Sequence, residues 1–320
     1  MLRFKYFYDD WLEVTNFANE ESDLHVRLTA NFLDSLKFDT DSLKMYRVDA
    51  AKNLMPMLGD KPALCMSGGI DSQATWQCFN EANIDIDVYT LVFKNGLNKQ
   101  DVDHAILFAD HHDIKLNFIE IDIINFLSRE NAEYGKKYKS QSPHFNTHYK
   151  LCDILSTKGY TGFVCGGATP MISDKMSMWV SNYNQNFLNY INYSEISGKL
   201  CQGNFLGFYP HLTWATTLLI GIFKDEVYGQ PLSQEMRDKL EYKRYLSKTE
   251  GYRQMGFDII PQDKKYTGFE LVKNHLEEIY SDGWAFEKLY RFPLQQISKV
   301  IDVNIHLDKA FADKVLSYSK

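Results

Sequence analysis

An apolar run, Pro62-Ala63-Leu64-Cys65-Met66, gives way at Ser67-Gly68-Gly69-Ile70-Asp71-Ser72 to a stretch of helical pattern over 73–80. This junction constrains the chain more than any other. Paired glycines between a strand and a helix let the backbone come close to an anion. Successive N–H groups then form a concave nest, and the helix N-terminus adds the positive end of its dipole. Ser67 and Ser72 can donate further hydrogen bonds, and Asp71 can hold a hard cation such as Mg²⁺ against phosphate. The other common nucleotide signatures are missing: no Gly-Lys-Ser/Thr follows a glycine loop, and no G-x-G-x-x-G opens a helix.

The flanking pattern alternates between strand and helix. A β-branched and aromatic run over 86–93 predicts a buried strand, Asn95-Gly96 a turn, and the spacing of Val102, Ala105, Ile106 and Ala109 a helix over 101–111. A strand is expected over 116–121, a helix over 144–158 with Gly159 as its C-cap, and a short strand over 162–165 that ends in Gly166-Gly167. Upstream, 4–8 suggests a strand, 24–36 a helix, and 49–55 a helix ended by Pro56. Such alternation means a parallel sheet of about five strands with helices on both faces, an α/β fold. Ligands of these sheets bind beyond the carboxyl ends of the strands, here the loops at Ser67, Phe93 and Gly166. Three parts are expected: 1–46 packed on the core, 47–175 carrying the phosphate loop, and a mainly helical 176–320 forming a substrate or cap region. Charged helical patterns over 233–248, 268–279 and 282–289 support the last.

At 320 residues, 44% hydrophobic and 24% charged, the chain can bury a sizeable core. A net charge of −7 argues against a surface built mainly for nucleic acid and leaves room only for a local basic groove. The five cysteines, Cys65, Cys78, Cys152, Cys165 and Cys201, include no C-x-x-C pair, and a scattered set fits buried thiols in a reducing compartment. Residues 1–13 lack the apolar stretch of a signal peptide, and the most apolar later stretch, 216–223, is too short to cross a bilayer. A cytoplasmic protein is the expectation.

The hexapeptide Ser67 to Ser72 resembles the PP-loop of the ATP pyrophosphatase superfamily, the adenine nucleotide alpha hydrolase-like group whose signature is SGGxDS, with Ile70 at the variable position. The order helix, strand, SGGxDS is most similar to the synthetase domain of asparagine synthetases. The resemblance implies ATP and Mg²⁺ as cofactors. Ser67, Gly68, Gly69 and Ser72 would cradle the phosphates and Asp71 would hold the metal. Phe93 would border the base and Asn95 contact the sugar, with an ordinary Asn-Gly turn as the other reading. Gly166 and Gly167 would pass close to the α-phosphate. Asparagine synthetases carry G-x-G-A-D-E at that place, whereas here Thr169-Pro170 replaces the acidic pair and Asp174 is the nearest carboxylate. That departure counts against asparagine synthesis itself rather than against ATP binding. A later segment, Pro261 to Phe269, faintly resembles one whose lysine neutralises leaving pyrophosphate; Lys264 or Lys265 would serve, or stand as solvated surface.

The implied activity is ATP-dependent adenylation. A carboxylate or carbonyl oxygen of a small-molecule acceptor attacks the α-phosphorus, pyrophosphate leaves, and ammonia or an amine displaces AMP. Position 2 is Leu2 rather than a nucleophilic cysteine, so nitrogen is expected from free ammonia, another subunit or an amine substrate. Base or tRNA modification by sulfur transfer or amine attachment is the alternative, and a non-catalytic nucleotide-binding module is another. Cys165 borders the site as a candidate nucleophile or as a buried thiol. His111-His112, His144 and His148 invite a metal, but the sequence supplies no third ligand beside them. The aromatic, Asn-rich stretch over 182–214 is expected to shape the acceptor pocket.

Overall fold

The computed structural model describes residues 12–14, 24–26, 34–138, 140, 143–167, 169, 171–173, 178–179, 187–223, 234–263, 268–272 and 275. Strands β1 (Leu12–Val14) and β2 (Leu24–Val26) pair antiparallel, Glu13 opposite His25. The helix predicted over 24–36 therefore does not include 24–26, where antiparallel pairing to the nearby strand 12–14 overrides local helical spacing. The strand suggested at 4–8 lies outside the described residues.

Helix α1 (Thr40–Leu58) begins at Asp39, whose carboxylate accepts the Ser42 N–H at 2.9 Å. Leu43, Tyr46, Arg47, Ala50, Ala51, Leu54 and Leu58 form its buried face. Pro56 does not end the helix. It lies in the last turn and forgoes one i→i−4 bond, with a single residue pair beyond it before the chain turns at Gly59 with φ 77°. Then follow β3 (Pro62–Cys65), α2 (Ile70–Glu81), β4 (Asp87–Phe93), α3 (Lys99–His111) and β5 (Leu116–Ile121). A helical stretch leads to α4 (Asn131–Tyr138), α5 (Pro143–Thr157) and β6 (Gly162–Cys165). Beyond lie β7 (Met171–Ser173), β8 (Met178–Trp179), α6 (Phe187–Ser197), β9 (Leu200–Gln202), α7 (Pro210–Ile220), β10 (Ile222–Phe223) and α8 (Gln234–Gln254).

Five parallel strands form the central sheet in the order β5-β4-β3-β6-β9, and β10-β7-β8 form a separate small sheet. Strands are added on one side of β3 as far as β5, then on the other from β6. The strand order therefore reverses between β3 and β6, the place where such sheets bind ligands. The fifth strand, β9, comes from beyond the boundary expected at 175, so the C-terminal half completes the sheet. Alternate residues face opposite layers. Leu64, Val88 and Val164 pack with α1, α2, α7 and α8, while Ala63, Phe163 and Cys201 pack with α4, α5 and α6. Among the described residues no helix is long and apolar enough to cross a membrane.

Buried Arg47 joins three elements of the first layer. Its guanidinium grips Glu81 at the end of α2 through Nε at 2.8 Å and Nη2 at 2.9 Å, and Nη1 donates to the Met255 carbonyl just past α8. Breaking such a pair leaves a carboxylate short of its partner in a site of low water access. Arg47→Leu should destabilise the protein by about 3 kcal/mol in urea unfolding. The double variant Arg47→Leu/Glu81→Leu should recover part of that loss.

Candidate functional site

The turn after β3 is held before it begins. Met66 N–H donates to the Tyr89 carbonyl at 2.7 Å, and Thr90 Oγ1 donates to the Met66 carbonyl at 2.9 Å, tying the strand end to β4. Gly68 then takes φ +82°, and a Cβ there would lie 2.6 Å from the Asp101 carbonyl oxygen. Helix α3 thus rests directly on the turn, and only glycine satisfies both the dihedral and the space. Gly69 is the N-cap of α2 and supplies no side-chain cap. Ser72 Oγ donates to the Gly69 carbonyl at 2.8 Å and is buried, while Ser67, exposed to the cavity, has its Oγ 3.3 Å from Ser72 Oγ. The N-terminus of α2 is left as an uncapped positive dipole end.

The loop after β6 meets this turn backbone to backbone. A Cβ on Gly166 would lie 2.6 Å from the Asp71 carbonyl carbon and 2.7 Å from Ser72 N. The two glycine loops flank the point where strand order reverses. Above them opens a cavity of about 450 Å³, whose lining includes Ser67, Gly69, Asp71, Ser72, Gly166 and Gly167.

Asp71, the first acidic side chain of α2, faces two groups from α8. Lys248 Nζ lies 2.6 Å from Asp71 Oδ1, and Tyr252 Oη donates to the same oxygen at 2.5 Å. With its only proton on the carboxylate, Tyr252 accepts from Thr169 Oγ1 at 3.0 Å, which joins the β6 loop to the same chain of bonds. Burial, reinforced by Asp71, raises the Tyr252 phenol well above its usual value, so it stays a donor. Lys248 itself is nearly buried.

The segment after α8 is strapped onto the motif helix. Gln73 and Gln77, both buried, each pair with a backbone amide in both directions: Gln73 with Ile260 N–H and C=O, both at 2.9 Å, and Gln77 with Asp258 N–H at 2.8 Å and C=O at 2.9 Å. His104 Nε2 donates to the Ile260 carbonyl at 2.8 Å. Gln262, next along, lines the cavity, and its amide lies 3.4 Å from Asp101 Oδ1. The signal for this strap was present in the sequence as two glutamines four apart on an otherwise core-facing helix.

At the other end of the cavity stand His144 and His148 of α5, Phe145, Tyr190 of α6 and Phe269. His148 Nδ1 and Tyr190 Oη are hydrogen-bonded at 2.9 Å. Burial, aided by His144, holds the His148 imidazole well below its usual pKa, hence neutral. Cysteines that the sequence scatters converge here. Cys65 and Cys165 are register partners on β3 and β6 and both line the cavity, and Cys152 and Cys201 have their sulfurs 3.7 Å apart. Thiol donation from Cys201 and Cys65 draws the Cys165 pKa down, whereas burial drives that of Cys152 up.

Of the other predicted positions, Phe93 is buried in the lining with its ring 5.3 Å from that of Phe269. Asn95 is exposed on the turn Lys94–Gly96 at φ 62° and outside the lining. Asn98 is in the lining, and it staples the loop by accepting Phe93 N–H at 2.7 Å and donating to the Leu91 carbonyl at 2.9 Å. Lys264, Lys265 and Asp174 lie outside the described residues. Lys248 and Tyr252 were missed because their helix reads as an ordinary charged one. The 182–214 stretch contributes Tyr190, Gly203 and Asn204 to the lining.

No protein-family model matches the chain, and no curated protein matches it. Among solved structures it is similar to NMN synthetase from Francisella tularensis, with a TM-score of 0.37 and 10% identity over 88% of this chain and 94% of that one. It is also similar to the U34-tRNA thiolase NcsA from Methanococcus maripaludis, with a TM-score of 0.35 and 13% identity over 92% and 90%. A third match is NH3-dependent NAD synthetase from Campylobacter jejuni subsp. jejuni NCTC 11168, with a TM-score of 0.35 and 14% identity over 88% and 93%.

Burial, with Glu270 adding to it, raises the Asp101 carboxyl from its ordinary 3.8 to about 7. Between those values the folded chain binds a proton that the unfolded chain does not, so stability falls as pH rises across that window. Asp101→Asn should therefore raise the thermal midpoint at about pH 8 and change it little at about pH 4. Paired melting curves of the two proteins test this.

Proposed function

We propose that the protein is an ATP-dependent adenylating ligase that releases pyrophosphate and joins a nitrogen nucleophile to an activated acceptor. The observation that carries this reading is the uncapped N-terminus of α2 opening into a roomy cavity at the strand-order reversal, with Asp71 and Lys248 beside it. Both contacts from α8 fall on Oδ1 of Asp71, and the carboxylate is a hard oxygen donor of the kind Mg²⁺ takes. The donor set fits the metal and the bare helix end fits the phosphates. Mg²⁺ would supply charge neutralisation of the triphosphate, held by Asp71.

The remaining roles belong to the chain's own residues. The backbone of Gly68 and Gly69 and the first turn of α2 would grip the phosphates, and Gly166, lacking a side chain, lets its loop close onto the start of α2 beside where the α-phosphorus would sit. Splitting the α–β bond gathers negative charge on pyrophosphate, and Lys248 is a desolvated cation beside that end of the cavity. Phe93 would border the base. The histidine and aromatic end would receive the acceptor. His148 is neutral there, and burial of that part of the lining favours an uncharged amine over an ammonium ion. Asparagine-synthetase-like chemistry, with ammonia as the nitrogen source, is the most similar known pattern at the level of the motif.

Purified protein with Mg²⁺, ATP and a panel of carboxylate acceptors plus ammonia should release AMP and pyrophosphate. Asp71→Asn should abolish release, and Lys248→Met should lower kcat at least a hundredfold, with melting midpoints showing that both fold. Production of ADP and phosphate would contradict the proposal, and nucleotide binding without turnover across the panel would favour a passive binding module.

The thiol cluster favours a second reading, sulfur transfer to a base or tRNA. A sulfane-sulfur donor would load Cys165 as a persulfide, and its outer sulfur would displace AMP from the activated carbon. Cys65 would then cleave the S–S bond to free the thio product, leaving a Cys65–Cys165 disulfide for an external thiol to reduce. Cys65→Ser and Cys165→Ser separate the two. Both variants should keep pyrophosphate release in an amide-forming ligase, whereas a sulfur carrier loses all product with Cys165→Ser.

A further inference from the structure

On the face of the molecule formed by α3 and the strap, three potential metal ligands come together from distant parts of the chain. His111 Nε2 lies 3.0 Å from Asp258 Oδ2, and His112 Nε2 lies 3.6 Å from the same oxygen. All three ligand atoms fall within 4.8 Å of one another. Around a tetrahedral ion with bonds of about 2.0–2.1 Å, ligand atoms stand about 3.3 Å apart. The two measured separations bracket that spacing. A hydrogen-bonded ion pair explains only half of the arrangement. His111 is close enough to bond Asp258, but His112 Nε2 is buried and has no hydrogen-bond partner among the described residues. An ion among the three atoms would satisfy it.

The ligands are also held in place before any ion arrives. Gln77 pairs with both the N–H and the C=O of Asp258, which fixes the backbone that carries the carboxylate. His112 is wedged between rings, 4.4 Å from Phe108 and 5.2 Å from Trp76 centre to centre. Support of ligands from behind is what a metal site requires beyond its donors.

We propose that His111, His112 and Asp258 form a binding site for a divalent transition cation of the zinc type, which staples the end of α3 to the strap that follows α8. Two imidazoles and one carboxylate suit Zn²⁺, with a water in the fourth position, and do not suit Mg²⁺, which prefers oxygen alone. The ion would close a loop between residues 147 apart in the chain. Because the strap continues from the helix bearing Lys248 and Tyr252, the staple would also hold that helix over the cavity. This site is separate from the nucleotide proposal and stands whether or not ATP is the substrate.

The test uses the untagged full chain, stripped with chelator and titrated calorimetrically with ZnCl₂. One equivalent should bind, and at a hundredfold excess over Kd the melting midpoint should rise by roughly 4 °C. Co²⁺ in place of Zn²⁺ should give the visible absorption of a four- or five-coordinate site. His111→Ala and Asp258→Asn should each lose the equivalent and the midpoint rise, while Cys152→Ser and Cys201→Ser keep both. His111 and Asp258 are exposed, so neither substitution threatens the fold. Zinc binding that survives His111→Ala and Asp258→Asn, that vanishes with the cysteine variants, or that fails to occur would overturn the proposal.

Discussion

The cavity exists because backbone meets backbone at two places where any side chain would intervene. Gly68 lets the turn after β3 lie against the first turn of α3, and Gly166 lets the loop after β6 lie against the start of α2. A Cβ at either position would stand about 2.6 Å from a backbone atom, well inside contact distance. The consequences reach beyond sterics. Pushing either loop outward would move the bare N-terminus of α2 away from the strand-order reversal, where the sheet's own geometry opens a crevice. The dipole, the concave N–H groups and the space above them coincide only while both glycines remain.

Helix α8 meets the edge of that crevice at Asp71. Lys248 and Tyr252 reach down from it to Asp71, and the strap behind it is sewn to α2 by Gln73 and Gln77. A largely buried ion pair adds little net stability, because the desolvation of both charges offsets their attraction. Packing alone is therefore a poor reason for Lys248 to be there. The proposed function gives it a use: a polyphosphate entering the cavity would bring Lys248 a further negative partner without moving it into place. Preorganised charge of this kind needs no rearrangement at the moment of reaction. The same polar contacts that assemble the cap also aim its lysine.

Local signals were legible in the sequence. The strand, turn and helix around Ser67 to Ser72, the strands at 116–121 and 162–165, and the C-terminal Gly159, which takes φ +88°, fall where periodicity and glycine chemistry put them. What escaped depends on contacts far apart in the chain. Lys248 meets Asp71 across more than half of the sequence, and nothing in a charged helical pattern marks one lysine as inward. Asp258 approaches His111 from the far side of α3, so the third ligand was invisible beside the histidine pair. Cys65 and Cys165 are neighbours only through strand register. β9 was hidden for a related reason: a three-residue strand carries almost no periodicity, and its identity comes from pairing with β6.

The two ends of the cavity impose different chemistry. An ion pair stands at the phosphate end, in Asp71 and Lys248, while the rest of the lining offers a neutral His148, phenyl and phenol rings and cysteine sulfurs. A charged amine pays a desolvation penalty in the second environment, and a neutral one does not. Under the proposed ligase chemistry, that end would favour the nucleophilic form of an amine simply by excluding water. A thiolate suffers the same penalty, unless S–H groups donate to it, and Cys165 has two such neighbours in Cys65 and Cys201. Both proposed readings would thus use one physical device, a low-dielectric end facing a loop that holds polyphosphate. They differ in which nucleophile that end keeps reactive. Cys165 stands in register with the strand that leads into the phosphate turn, so its sulfur and the cradle are positioned by the same pair of strands.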